Sequence, residues 1–192
     1  MSLRVAIGTL VITLQISAAG FLTVGYGHGG DSLSNASGGQ DYSTQAGSGL
    51  FFVGGLLFPI STTTPHRFEA QIGAGYLFQN DEHSKDDSVS WSRIPIEALY
   101  YYHNTRNKFR LAWGATYHIA NNIDSRGVNK SAETRAENAW GRILVVEKLW
   151  STETGETMSI GLRHTSINYR LSAFDKIVNG DAWSVTFTGL LF

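Results

Sequence analysis

The segment RIPIEALYYYHNTRNKFRLAWGATYHI, Arg93 to Ile119, alternates with a period of two on both sides of a short polar link. In its first arm Ile94, Ile96, Ala98, Tyr100 and Tyr102 share one face, while Arg93, Pro95, Glu97 and Leu99 share the other. After His103 to Lys108, the second arm sets Phe109, Leu111, Trp113, Ala115, Tyr117 and Ile119 against Arg110, Ala112, Gly114, Thr116 and His118. A two-residue repeat is the period of a pleated strand, and a tight polar link between two such runs makes an antiparallel hairpin. The faces constrain more than the period does. One is long, apolar and aromatic; the other mixes Arg, Glu and His with small residues. A water-soluble barrel turns its large apolar side chains inward, so this pattern fits a closed sheet whose outer solvent is lipid.

Composition agrees with a sheet protein and removes several function classes. The chain of 192 residues is long enough for one domain plus a short leader. Its 21 glycines against 3 prolines suit many strands in close contact. A net charge of −1 provides no basic field to gather nucleic acid. The absence of cysteine excludes disulfide scaffolds, thiolate metal sites and cysteine nucleophiles together. A mean hydropathy of −0.11 is low for helical spans, but barrel strands are half polar and average out.

Residues 1–19 carry one early cation, Arg4, an apolar run from Val5 to Ile16, and the small residues Ser17, Ala18 and Ala19. This is the layout of a secretory signal peptide, and the run is too short to span a bilayer as a helix. Residues 20–192 then read as eight strands. They are Phe21–His28, Gly47–Phe58 (stopped by Pro59), Arg67–Gln79, the two arms of the hairpin, Glu137–Trp150, Met158–Leu171 and Ala182–Phe192. Connections after the odd-numbered strands, NDEHSKDDS among them, run to roughly 9 to 17 residues and the others to roughly 6 to 8, the asymmetry of outer-membrane barrels. The expected fold is an all-β, eight-stranded, antiparallel up-and-down transmembrane barrel. In the sixth strand both faces are partly apolar, which leaves the facing of Arg142 and Glu147 open.

The charged inward set is Glu69, Arg93, Glu97, Arg110 and Arg163, with His118 beside it. An eight-stranded barrel is just wide enough for its side chains to fill, so these charges are expected to form a partnered plug; the competing reading is a small polar pore or ligand site. Tyr26, Trp91, Tyr100, Tyr101, Tyr102, Trp113, Tyr117, Trp140, Trp150 and Trp183 would form girdles at the two membrane interfaces. In GLRHTSINY, His164 and Ser166 share a strand face, and with an acid such as Asp175 or Asp181 they would make a base–nucleophile pair. The bland reading is polar residues where the strand leaves the bilayer. The six histidines have no metal-ligand spacing, GYGHGG has no following helix to hold phosphate, and NDEHSKDD lacks EF-hand spacing. No metal or cofactor is expected.

The signal-like start, RIPIEALYYY before a short turn, GLRHTSINY in the penultimate strand, and a final strand ending in Phe192 together resemble the small eight-stranded bacterial outer-membrane barrel proteins. The resemblance covers residues 20–192. It implies an envelope protein of structural, adhesive or small-solute role, in contact with outer-membrane lipid and lipopolysaccharide. Phe192 is similar to the terminal aromatic read by the barrel-assembly machinery. Counting back by twos from it gives Leu190, Thr188, Thr186 and Ser184, whereas Leu191, Phe187, Val185 and Trp183 lie on the other face; a bulge would reconcile the two sets. GLRHTSINY is also faintly similar to the His-x-Ser-Asn motif of outer-membrane lipid A deacylases, with Ile167 intervening before Asn168. That likeness implies an ester hydrolase using Ser166 and His164. A third alternative is a soluble lipocalin-like carrier, with its aromatics inside. The directions of Trp113 and Arg110 separate the wet-inside barrel from the carrier.

Overall fold

The computed structural model describes residues 18–32, 45–61, 63–84, 87–126, 132–151, 157–172 and 175–191. Ten antiparallel strands follow one another: β1 (Ala19–His28), β2 (Gly49–Ser61), β3 (His66–Ser84), β4 (Asp87–Asn104), β5 (Phe109–Arg126), β6 (Ala132–Arg135), β7 (Ala139–Ser151), β8 (Thr157–Leu171), β9 (Lys176–Asn179) and β10 (Ala182–Leu191). Eight of them form a ring in the order β10-β1-β2-β3-β4-β5-β7-β8, which β8 closes by pairing back to β10. Closure leaves the ring without a sheet edge, so no row of N–H and C=O groups is left unpaired along the wall. The short β6 and β9 pair with β5 and β8 at the end of the barrel that carries the longer connections. The protein is a closed eight-stranded antiparallel β-barrel.

Two residues settle which side of the wall is wet. Trp113 is 46% exposed on the outside, whereas Arg110 is 1% exposed within the lumen. The same division holds around the ring. Leu22, Phe52, Ile72, Ile96, Leu144, Leu162 and Phe187 all look outward. A lipocalin-like carrier is therefore contradicted, because its apolar side chains would line the cavity.

The interior is not uniformly polar, however. Phe21, Phe51 and Val53 form one buried apolar group, and Leu57, Leu99, Tyr101, Ala112, Ile143 and Val145 form another. These large side chains fit only where the facing strand is bare. A Cβ on Gly25 would lie 2.4 Å from Phe51 Cζ, and one on Gly114 would lie 2.0 Å from the Ala98 carbonyl oxygen. Both are glycines because the backbone or a ring already fills the space.

Strand lengths depart from the alternation-based boundaries. Pro59 does not stop β2, which continues to Ser61; the proline sits beside a register shift between Pro59 and Ser61, where a lost N–H is tolerated. The acidic stretch expected as a nine-residue loop is mostly strand. β3, β4 and β5 run 19, 18 and 18 residues, well beyond the roughly 9 to 11 needed to cross a bilayer.

β5 contains one extra residue. Ala120 adopts φ +51°, and the pairing of β4 with β5 slips by one between Ser92/Asn122 and Ile94/Ile119. A single-residue bulge exchanges the two faces beyond it. Below Ala120 the even-numbered Arg110, Thr116 and His118 point inward; above it Asn121 and Ile123 do. That exchange delivers Ile123 to a third apolar group, with Val89, Trp91, Ala136, Ile167, Tyr169, Leu171 and Val178, which caps the long-connection end. By contrast, β10 pairs with β1 and β8 without any shift. Ser184, Thr186 and Thr188 face inward and Trp183, Val185 and Phe187 outward, so no bulge realigns the final strand within Ala182–Leu191. Phe192 and residues 1–17 of the expected leader lie outside the described residues.

Replacing Gly25 with valine should push the Phe51 ring out of its seat and lower stability by about 1–3 kcal/mol. The urea unfolding midpoint of the refolded barrel measures this, and an unchanged midpoint would contradict the packing described.

Candidate functional site

The buried charges stack in three tiers along the lumen. Nearest the short-turn end, Arg110 on β5 meets Glu147 on β7 in direct cross-strand register. Arg110 Nε and Nη2 donate to Glu147 Oε2 at 2.9 and 2.5 Å. Arg110 Nη1 lies 3.7 Å from Glu69 Oε2, and His103 Nδ1 lies 3.8 Å from Glu69 Oε1. The Thr188 hydroxyl reaches Glu147 Oε1 at 3.5 Å and shares a 2.8 Å hydrogen bond with Thr23 on β1. The Arg110 guanidinium also lies 4.5 Å over the ring of Tyr101.

The middle tier crosses the lumen rather than the sheet. Arg163 on β8 donates Nη2 and Nη1 to Glu97 Oε1 and Oε2 on β4, at 2.5 and 3.0 Å, and its Nε reaches Thr165 Oγ1 at 3.2 Å. This is a two-toothed guanidinium–carboxylate pair, the strongest geometry available to these groups. It ties β4 to β8 across the lumen, past β5 and β7.

The upper tier has no carboxylate. Arg93 donates to the carbonyl oxygens of Ala46 and Ser48, the latter at 3.0 Å, and to the Tyr169 hydroxyl at 3.3 Å. Its guanidinium lies 4.2 Å over Trp91, and the Tyr169 hydroxyl continues to His118 Nδ1 at 2.6 Å. A cation held by carbonyls and ring faces fastens residues 45–48 over the mouth of the barrel. Around Arg93, Glu97, His118 and Arg163 the remaining space is about 20 Å³, room for a single water. A vestibule of about 220 Å³ at the short-turn end, lined by Leu57, Arg67, Glu69, His103 and Leu149, goes no deeper than the lowest tier.

The structure thus brings Glu69, Arg93, Glu97, Arg110, His118 and Arg163 together in one lumen and adds Glu147, His103, Tyr169 and Thr188 to them. Glu147 escapes sequence reading because Ile143 and Val145 inside mirror Leu144 and Val146 outside. Its signal is the register: Glu147 falls directly opposite Arg110.

Two of the expected rim aromatics are corrected. Trp91 is 0% exposed and Tyr101 is buried; each shares its strand face with Arg93 and serves as a ring under a guanidinium. The others sit outside in two groups. Tyr26, Tyr117, Trp140 and Trp183 lie toward the long connections, and Tyr117 and Trp140 are in ring contact at 4.6 Å. Tyr100, Tyr102, Trp113 and Trp150 lie toward the short turns, with Tyr100 against Trp113 at 4.9 Å and Trp150 against Phe187 at 5.6 Å.

The base–nucleophile constellation does not assemble. His164 and Ser166 face outward on β8, but the His164 ring packs 4.6 Å from the indole of Trp183. Asp175 pairs with Arg170 at 2.5 Å, six residues or about 20 Å further along the strand. Asp181 accepts a bond from the Ile167 backbone at 2.9 Å. Neither acid is in place to orient the imidazole.

Cutting the middle tier on one side should be more harmful than removing it whole. Glu97→Ala leaves Arg163 buried without its counter-charge and should lower stability by about 3–5 kcal/mol, whereas Glu97→Leu with Arg163→Leu should recover most of that loss. Equal destabilisation of the single and double variants in denaturant titration would contradict the pairing.

No protein-family model matches the sequence, and no curated protein matches it. Three solved structures are similar in architecture. The attachment invasion locus protein Ail of Yersinia pestis has a TM-score of 0.50 at 9% identity, over 91% of this chain and 97% of that one. Neisserial surface protein A scores 0.49 at 11% identity, over 91% and 96%. The outer membrane protein OprG of Pseudomonas aeruginosa scores 0.46 at 14% identity, over 91% and 94%. At such identities the likeness speaks to the fold: this chain has the architecture of the small eight-stranded outer-membrane β-barrels.

Proposed function

We propose that the protein resides in a bacterial outer membrane, with a structural or surface-interaction role exerted through its outer end and a lumen that conducts nothing. The observation that carries the reading is the predominantly apolar outer wall between two aromatic groups, broken on β7 only near its ends by Arg142 and Lys148. On β7 the span from Trp140 to Trp150 is ten residues, which at strand rise and a tilt near 40° covers roughly 25 Å, the height of the apolar band in such barrels. Large apolar side chains are exposed on all eight strands of the ring, an arrangement a water-soluble monomer rarely keeps. The three charge tiers and the 20 Å³ of residual space support a plug over a pore.

Export by the leader at residues 1–19 and insertion by assembly machinery reading Phe192 belong to the same proposal, as does contact with lipopolysaccharide. The longer connections and the protruding β3–β5 would face the exterior, as long loops do in these barrels. Any loop ligand would be met there.

Fractionation and electrophoresis test the location. The protein should sediment with outer membranes and migrate differently in detergent gels before and after boiling; recovery in the soluble periplasm would remove the proposal. In planar lipid bilayers the purified barrel should give no stepwise current, and reproducible unitary steps would exclude the plugged lumen.

A further inference from the structure

Three cations project from the outer wall of β7 and β8, and two of them have partners within the protein. Lys148 donates from Nζ to the Asn107 carbonyl oxygen at 2.8 Å, bending toward the short turns. Arg170 pairs with Asp175 beyond the long-connection rim. Arg142 is different. It is exposed, two residues from Trp140 on the membrane side, and among the described residues its guanidinium meets no acceptor.

A guanidinium on a lipid-facing wall is costly unless it reaches an acceptor near the interface. Arg142 pairs with Ser166 across β7–β8 and with Ala115 across β5–β7, and neither strand places a carboxylate on that outward face nearby. His164 lies on the diagonal from it, in tilted ring contact with Trp183, whose strand partner on β1 is His28. The result is a polar band just inside the upper aromatic group: one fork-shaped cation, a hydroxyl and two imidazoles, between Trp140 and Trp183.

We infer that this band binds the phosphorylated sugar headgroup of a lipid A-type glycolipid in the outer leaflet, with Arg142 holding a phosphate through paired N–H donors. Arginine's planar fork matches two phosphate oxygens, Ser166 and His164 offer neutral hydrogen bonds suited to sugar hydroxyls, and the indoles stand at headgroup depth. The inference rests on the membrane location proposed above and assigns that location a specific lipid contact.

The test uses the full barrel refolded in detergent micelles, where a boiling-dependent gel shift first reports that the barrel has formed. Native mass spectrometry then follows binding of purified lipid A, with phosphatidylglycerol as the anionic two-chain comparison. Lipid A should be retained over phosphatidylglycerol, and Arg142→Gln should weaken its retention about tenfold, the loss of one charge-assisted contact. Lys148→Gln, on the same face but tied to Asn107, should change it by less than about twofold. Equal retention by the parent and Arg142→Gln, or of the two lipids by the parent, overturns the inference while leaving the membrane proposal standing. Failure to form a barrel in detergent would remove the membrane proposal itself.

Discussion

Three arginines and three glutamates buried inside a narrow tube must each find a partner within it. Around Arg93, Glu97, His118 and Arg163 there is room for about one water, so these buried charges depend on fixed protein partners for their solvation. Arg163 and Glu97 are the pair on which the rest depends. They stand on strands three places apart round the ring, with β5 and β7 between them, 66 residues apart in sequence, and their two parallel hydrogen bonds set the separation of the walls. With that distance fixed, Phe51 can lie under the Arg163 guanidinium at 5.0 Å, and Gly25 becomes the residue that fits behind the ring. Arg110 and Glu147 then lock neighbouring strands, and Arg93 closes the top with carbonyl groups in place of a carboxylate.

Because the buried charges find their partners within the lumen, the outer wall is released to be apolar. Lumen and wall are opposite faces of the same strands, and every inward arginine or glutamate is flanked in sequence by residues that look outward. The few polar groups on the wall concentrate near its two ends, where long side chains extend toward water or headgroups. Lys148 does so at one end, turning back to Asn107.

Much of this is legible in the alternation alone. The Arg93–Ile119 hairpin announces its facing because large aromatics and charges segregate cleanly; Trp113 and Arg110 fall where period two puts them. Trp91 was legible too, sharing parity with Arg93, but its type suggested a rim while its position dictated the lumen. Glu147 was not, since valine, isoleucine and leucine occupy both faces of its strand. Nor were the ends of β3, β4 and β5, where polar composition reads as loop yet the hairpin continues beyond the ring. The outward pairing of His164 and Ser166 was correctly placed on one face, but parity carries no information on what lies across the neighbouring strands, and there Trp183 occupies the imidazole. The bulge at Ala120 escapes for a related reason: one inserted residue leaves the pattern locally plausible on either side.

That single inserted residue has a larger meaning for how β5 is written. Below Ala120 the strand obeys one parity and above it the other, so one unbroken backbone carries two independent inscriptions, one for the apolar-walled ring and one for the crown above it. The even positions that face the lumen below Ala120 face outward above it. The bulge is thus a frame boundary, separating the portion of the strand that pairs with β7 in the closed ring from the portion that pairs with β6 above it.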